Sequence, residues 1–293
     1  MKHYKDFEYS HLDKMYFPEN NLTKEDIITY YQKIAAFMLP HIKNRPVTLE
    51  RYPEGVHKKG FYMKQVPDYF PNWIHTTAID LKEGEMQQQI LCNKKKILSY
   101  LINQGVITLH TWLSDTSSLT TPNKMIFDLD PNQNNLKVVK SIALTLKDVL
   151  EKNGLTPYIM TTGSQGVHIV VPIKPELTFD KVKDVADYFA QLLVEKLPQK
   201  TTLEQRKQKR NGKVFIDTLR NAYGQTSVAP YSIRTVKEAA VATPLTWREF
   251  KVKSFDPKRY TYHNIFNRLG QIKDPWRNIN RSQVSLNKLI DKL

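Results

Sequence analysis

The segment Met125-Ile126-Phe127-Asp128-Leu129-Asp130-Pro131 sets two carboxylates two residues apart inside an apolar run. In a strand, residues with that spacing share a face, so Asp128 and Asp130 point one way and Met125, Phe127 and Leu129 the other. Two ionised carboxylates side by side repel each other unless a cation intervenes. Divalent ions resolve the conflict, and two of them roughly 3.5–4 Å apart suit in-line phosphoryl transfer. Asp-x-Asp alone is common on solvent-facing strand edges. A second apolar run, Val214-Phe215-Ile216-Asp217, delivers another carboxylate. Asp217 taken singly reads equally well as a surface residue or a helix cap. Three carboxylates on two apolar strands form a more specific pattern. Just upstream of Asp217 lies the basic run Arg206-Lys207-Gln208-Lys209-Arg210-Asn211-Gly212-Lys213.

The turn Thr162-Gly163-Ser164-Gln165-Gly166-Val167-His168 adds a third element. Two glycines permit a tight turn that aims N–H groups at a phosphate, and Thr162 and Ser164 add hydroxyls. His168 then enters the following strand with the parity to approach the same ligand. A ligand-free hairpin turn and a satisfied core histidine account for the same residues structurally.

Composition narrows the chemistry. The 293 residues include one cysteine, Cys92, so no disulfide forms within the chain and no cysteine-rich zinc site is available. The eight histidines show no pair at metal-ligand spacing. A metal here is held by oxygen, which favours magnesium or manganese. Lys and Arg total 44 against 29 Asp and Glu, a formal net charge of +15. That excess points to a polyanionic partner, against the plainer alternative of a lysine-rich proteome. No apolar run reaches the length of a membrane span, and Met1-Lys2-His3-Tyr4-Lys5-Asp6 has no apolar signal core behind it. The expectation is a soluble, cytoplasmic, nucleoid-associated protein with no membrane partner.

The elements that must position these residues follow from periodicity. A helix is expected over 24–39, with Thr23 as cap, Asp26 at the capping-box position and Ile27, Tyr30, Tyr31, Ile34 and Met38 as its apolar stripe; Pro40 and Pro46 end that segment. Strands are expected at 47–52 and 60–66 around a Pro53-Glu54-Gly55 turn, then a loop-rich stretch, then a helix over 93–103 stopped at Gly105. Strands at 106–112 and 124–130, a helix over 136–152, strands at 158–161 and 167–173, a helix over 179–197, and strands at 214–219 and 228–234 complete the pattern. Strands and helices alternate without a strict βαβ rhythm, so the class is α+β.

In this order, Phe127-Asp128-Leu129-Asp130-Pro131, Thr162 to His168, and Phe215-Ile216-Asp217 resemble the three motifs of the archaeo-eukaryotic primase superfamily. The likeness is closest to the polymerase domain of bacterial DNA ligase D, the non-homologous end-joining polymerase. That branch also has counterparts of Arg45-Pro46-Val47-Thr48-Leu49, Arg51-Tyr52-Pro53-Glu54-Gly55-Val56 and Val228-Ala229-Pro230-Tyr231-Ser232-Ile233-Arg234. Thr243-Pro244-Leu245-Thr246-Trp247 and Asp274-Pro275-Trp276 fit too, so the resemblance runs from about Asp13 to Trp276.

The resemblance implies a two-lobed primase-polymerase fold, with mixed sheets around a central metal-holding cleft and one RNA-recognition-like lobe. It implies one domain over 1–293: a mainly DNA-binding part at 1–120, the metal and nucleotide site at 121–240 and a C-terminal wrap at 241–293. Asp128, Asp130 and Asp217 would hold two divalent ions, manganese or magnesium, and catalyse transfer from nucleoside triphosphates. His110, Thr162, Ser164, Gln165, His168, Arg220 and Arg234 would bind the nucleotide. Lys14 and Lys24 would grip the 5′-phosphate beyond a gap or break. Phe61 and Tyr62 would stand beside the template, one of the pair also facing the core, with Lys64 and Arg210 as further DNA contacts. A DNA ligase and the end-binding protein Ku are the implied partners. The ligase and nuclease modules are expected either as separate proteins or elsewhere in a longer polypeptide.

The second motif departs from the family pattern, with Thr162 in place of serine and Gln165 in place of lysine. Threonine keeps the hydroxyl, whereas glutamine loses a charge and should weaken triphosphate binding or shift it to other groups. On the residues alone, a metal-dependent nuclease and a non-catalytic DNA-end scaffold stand as alternatives to the polymerase.

Overall fold

In the computed structural model, which describes residues 1–81, 84–131 and 135–290, a short hairpin of β1 (Met15–Phe17) and β2 (Leu22–Thr23) leads into helix α1 (Lys24–Ile42). Thr23 and Asp26 form a reciprocal capping box at its start. The stripe of Ile27, Tyr30, Tyr31, Ile34 and Met38 is buried, as its spacing predicts. Pro40 does not end the helix: it lies in the last turn, where Lys43 N still donates to Leu39 O at 2.9 Å. A proline so near the end removes one backbone donor without breaking the turns before it.

After α1 come β3 (Pro46–Arg51), β4 (Phe61–Met63), β5 (Thr76–Asp80), β6 (Met86–Leu91), helix α2 (Lys95–Asn103) and β7 (Val106–Trp112). Then follow β8 (Lys124–Asp130), α3 (Leu136–Lys152), β9 (Tyr158–Thr161), β10 (Val167–Pro172), α4 (Phe179–Lys196), β11 (Thr201–Thr202), β12 (Val214–Asp217), β13 (Thr226–Val228) and β14 (Pro244–Leu245). Short helices close the chain: α5 (Trp247–Lys251), α6 (Ile265–Gln271) and α7 (Asn287–Ile290). The class is α+β, as expected. No helix among the described residues is long and apolar enough to cross a membrane.

The chain forms two compact units, each assembled from separate stretches. The first comprises Met1–Ser117, Thr226–Ala242 and Tyr260–Phe266. Its sheet has the order β13-β7-β3-β6-β5, with β4 pairing β3, and every pairing is antiparallel. The strands β5 and β6 fall in the stretch expected to be loop. Their run Gln87-Gln88-Gln89 gives no apolar alternation to read, and backbone pairing along the ladder makes them strands. The strand expected over 228–234 is also corrected: β13 ends at Val228, and Pro230 and Tyr231 (φ 67°) turn the chain. Tyr30 Oη donates to Tyr231 O at 2.9 Å, and Ile233 N donates to Tyr31 Oη at 3.0 Å, so α1 fastens that turn.

The second unit comprises Ser118–Gln225, Thr243–Arg259 and Asn267–Leu293. Its sheet order is β11-β12-β8-β10-β9-β14; β11 and β12 are parallel and the other pairs antiparallel. Apolar faces of α3 (Val139, Ile142, Leu146, Leu150) and α4 (Val182, Val185, Phe189, Leu193) are buried.

Candidate active site and nucleic-acid contacts

Three adjacent strands of the second unit line up the acidic site. In the ladder, Asp217 of β12 is the direct partner of Asp128 in β8, and Asp128 is in turn the partner of His168 in β10. Directly opposed residues share a face, so the three side chains form a row across the sheet. Met125, Phe127 and Leu129 are fully buried on the other face, as strand parity requires. His168 Nε2 lies 3.4 Å from Asp128 Oδ2. Asp130 sits two ladder positions along, opposite Phe215.

Arginines surround this row. Arg210 Nη1 donates to Asp130 Oδ2 at 2.9 Å, and its guanidinium lies 4.4 Å from the Phe215 ring centre. Its other N–H groups donate to Glu204 O at 3.1 Å and Gln205 O at 2.9 Å. The structure thus places Arg210 beside Asp130, buried. Arg220 Nε is 3.9 Å from both Asp128 Oδ2 and Asp217 Oδ2. Asn221 fixes the turn that carries it. Fully buried, Asn221 accepts from Ile126 N at 2.8 Å and donates to Ile126 O and Thr218 O, both at 2.8 Å. Asp217 Oδ1 also accepts from Leu219 N at 2.8 Å, so one carboxylate both caps this turn and faces Asp128.

The glycine-rich turn is built as its composition suggests, with a different division of labour. Thr162 is buried; its hydroxyl donates to Gly166 O at 3.0 Å and accepts from Ser164 N at 3.2 Å, so it staples the turn. Ser164 is half-buried and Gln165 exposed. Gly163 adopts φ 67°, which favours glycine. Gly166 is required by space: a Cβ there would lie 2.4 Å from Leu129 O and 3.7 Å from Asp128 Oδ1.

The donor set suits a hard divalent cation. Burial pushes the Asp217 carboxyl above its usual range; the Leu219 amide opposes this, the Asp128 charge adds to it, and Arg220 and His168 only partly offset it. Two such carboxylates on neighbouring strands are the arrangement a divalent ion relieves. Among the described residues, no three His, Cys, Asp or Glu side chains are gathered as a closed metal cage. Asp130 turns to Arg210, while Arg220 stands between Asp128 and Asp217.

In the first unit, Lys14 and Lys24 line one cavity of about 260 Å³, together with His11 and Arg51. Lys14 Nζ donates to Pro53 O and Glu54 Oε1, both at 3.0 Å. Lys24 is buried, and its Nζ donates to Ser10 O at 2.6 Å. Burial, and then the Lys14 charge, lower the Lys24 pKa to about 8. Glu54 also lines the cavity and partly balances its lysines. Phe61 and Tyr62 are both exposed, at 48% and 63%, which corrects the expectation that one faces the core. Among the described residues, strand β4 pairs only with β3, and Arg51 covers the Phe61 ring at 5.4 Å. Lys64 beyond them is exposed.

His110 is half-buried on β7, where Tyr62 meets it edge-on at 5.6 Å between ring centres. Glu50 Oε2 lies 3.5 Å from His110 Nε2. Burial raises the Glu50 carboxyl, but the His110 hydrogen bond and the Arg234 charge outweigh it and hold the group below its usual range. Glu50 and Asn221 carry no motif signal: one reads as an ordinary strand glutamate, the other as a loop residue. Within 47–52 Glu50 stands beside polar Thr48 and Arg51, so residue type does not single it out.

A family model described as "LigD, primase-polymerase domain" matches residues 23–276. The chain is 30% identical to the bifunctional non-homologous end joining protein LigD of Bacillus subtilis over 264 residues, 89% of this chain and 42% of that protein. It is 30% identical to the multifunctional LigD of Mycolicibacterium smegmatis over 279 residues, 94% of this chain and 36% of that protein. The chain thus spans about two fifths of these relatives. The polymerase domain of Mycobacterium tuberculosis ligase D, solved in complex with DNA, superposes with a TM-score of 0.87 at 26% identity, covering 94% of this chain and 99% of that one. With the ordered motifs, the aspartate row and a match over most of its length, the chain belongs to the LigD primase-polymerase domain family.

Proposed function

We propose that this chain is a template-dependent nucleotidyltransferase that fills gaps and extends 3′-ends at DNA breaks in non-homologous end joining, with a preference for ribonucleotides. The observation that carries the reading is the direct ladder pairing of Asp217 with Asp128, flanked by His168, Asp130 and two arginines. Asp128, Asp130 and Asp217 would hold two manganese or magnesium ions, which when bound activate the primer 3′-hydroxyl and stabilise departing pyrophosphate. The protein's own groups position the substrates. Arg220 presents a fork suited to phosphate oxygens, and Ser164, Gln165 and His168 border the same face. Thr162 shapes the turn that offers them, and His110 and Arg234 are further candidates for contact with the nucleotide.

Lys14 and Lys24 would bind the 5′-phosphate across the gap, while Phe61 and Tyr62 stack on template bases beside Lys64. Arg210 acts through Asp130. A DNA ligase and Ku are the proposed partners. Asp128→Ala or Asp130→Ala is expected to abolish extension of a gapped primer with manganese and nucleoside triphosphates while DNA binding survives. Full extension by either variant would sink the assignment, and metal-dependent cleavage of DNA without nucleotides would favour a nuclease.

A further inference from the structure

We infer that Tyr69 is a further DNA-contact residue: with Phe61, across the guanidinium of Arg51, it forms a stacking site for an unpaired nucleobase. This rests on the reading that the chain binds DNA ends, and not on the transfer step. Tyr69 is 62% exposed and Phe61 48%. Burying rings of that size is favourable, so two of them left in water beside a cation mark a contact surface. Arg51 joins them: its guanidinium lies 5.4 Å from the Phe61 ring centre, and Nη1 donates to Tyr69 Oη at 3.0 Å. Nη1 also donates to Met63 Sδ at 3.4 Å, and Nε to Gln104 O at 2.9 Å. None of these acceptors is a carboxylate, so the guanidinium is held in place with its charge left for an anion. All of these residues belong to the first unit.

The ladder separates this platform from Tyr62. Arg51 is the direct partner of Phe61 and Leu49 of Met63, whereas Glu50 is the partner of Tyr62. Arg51, Phe61 and Met63 therefore share one face of the β3–β4 pair. Tyr62 turns to the other, where His110 meets it edge-on. Two neighbours in sequence thus serve two surfaces. Tyr69 reaches the first of them from a short loop, Pro67-Asp68-Tyr69-Phe70-Pro71. Phe70 N donates to Pro67 O at 3.0 Å, and the buried Phe70 ring meets Tyr69 edge-on at 5.1 Å. A proline at each end and a buried neighbour hold the Tyr69 ring before any ligand arrives, which lowers the entropic cost of binding.

The setting selects nucleic acid as the occupant. Arg51 also lines the cavity that holds Lys14, Lys24 and His11, so the rings and the cavity are continuous. Lys58 and Lys59 precede β4 and Lys64 follows it, all exposed. The acids beside them are Asp68 in the loop and Glu54 in the cavity. Aromatic rings interleaved with an excess of cations suit flat bases on a phosphate backbone. An apolar protein segment would leave those cations unmatched. A base inside a duplex has both faces covered by its neighbours in the stack, so an unpaired base is the one that offers a face to these rings.

The test is affinity, by fluorescence anisotropy, for 5′-phosphorylated DNAs of three kinds: a gapped duplex with unpaired template bases, a duplex with an unpaired 5′ flap, and a blunt duplex. Tyr69→Ala is expected to weaken binding about tenfold for the gap, the flap or both, and less than about twofold for the blunt duplex. The DNA that loses affinity names the strand that supplies the base. Tyr69→Phe keeps the ring without the hydroxyl and should bind within about threefold of wild type, whereas Tyr69→Leu should lose as much as Tyr69→Ala. Abasic residues in place of the unpaired bases should bring wild type and Tyr69→Ala to the same affinity. Equal losses on all three DNAs, no loss on any, or full binding by Tyr69→Leu would overturn the inference. Should Tyr69→Ala lower Tm substantially, the Phe and Leu variants decide between a ring that stacks and one that only fills space. A wild-type protein that binds DNA ends while its variants show none of these differences refutes this inference alone. One that binds no DNA refutes the DNA-end reading as well.

Discussion

Lys24→Met should make the free protein more stable while impairing recognition of the DNA end. The wild-type ammonium is buried, donates to Ser10 O and feels the Lys14 charge, and its pKa falls from 10.5 to about 8. At 1.36 kcal/mol per unit, keeping it protonated costs the fold about 3 kcal/mol at pH 7. Losing the Ser10 hydrogen bond returns about 1 kcal/mol, so the variant should gain about 2 kcal/mol. The unfolded lysine binds its proton up to about pH 10.5 and the folded one only to about pH 8. Wild-type stability from this group therefore rises between those pH values, and the advantage of the variant fades across the same window. Urea unfolding of both proteins at pH 7 and pH 10 measures the gain and its decay. Affinities for recessed ends with a 5′-phosphate or a 5′-hydroxyl measure the functional loss. A variant less stable than wild type at pH 7, or a gain that persists undiminished at pH 10, would refute the reasoning.

The second unit supports three further predictions. Gly166→Ala would drive a Cβ to within 2.4 Å of Leu129 O, so a loss of roughly 1–3 kcal/mol in urea unfolding and at least tenfold in kcat is expected. Asn221→Ala strips both backbone groups of Ile126 of their partner; a loss of roughly 2–4 kcal/mol in thermal or urea unfolding is expected, with extension activity falling as Arg220 loses its support. Gln165→Lys adds a cation at an exposed position of the glycine-rich turn, and on the proposed function titrating nucleotide under single-turnover conditions should show roughly threefold to tenfold tighter binding that fades at high salt.

Much of the site was legible because strands report parity. Alternation alone placed Asp128 and Asp130 opposite Met125, Phe127 and Leu129, and Thr23 with Asp26 announced α1. What periodicity does not carry is pairing. That Asp217 meets Asp128, and that His168 lies on the far side of it, is decided by sheet order over long sequence separations. Composition marks Thr162 as a ligand contact but does not show that its hydroxyl also bonds the backbone of its own turn. Glu50 was hidden because burial, not residue type, makes it unusual. The strands β5 and β6 were hidden because glutamines on a sheet margin read as loop. Pro40 misled for a similar reason, since its cost depends on how many turns follow it.

The ladder between β8 and β12 holds only three described pairs: Phe215 with Asp130, Ile216 with Leu129, and Asp217 with Asp128. A slip of one residue would turn Asp217 to the apolar face and bring Ile216 into the acidic row. The length of the connection before Val214 therefore acts as a ruler for the proposed metal site. Inserting or deleting one residue near Asn211–Lys213 would change none of the three aspartates, yet it would strain the alignment that sets Asp217 opposite Asp128.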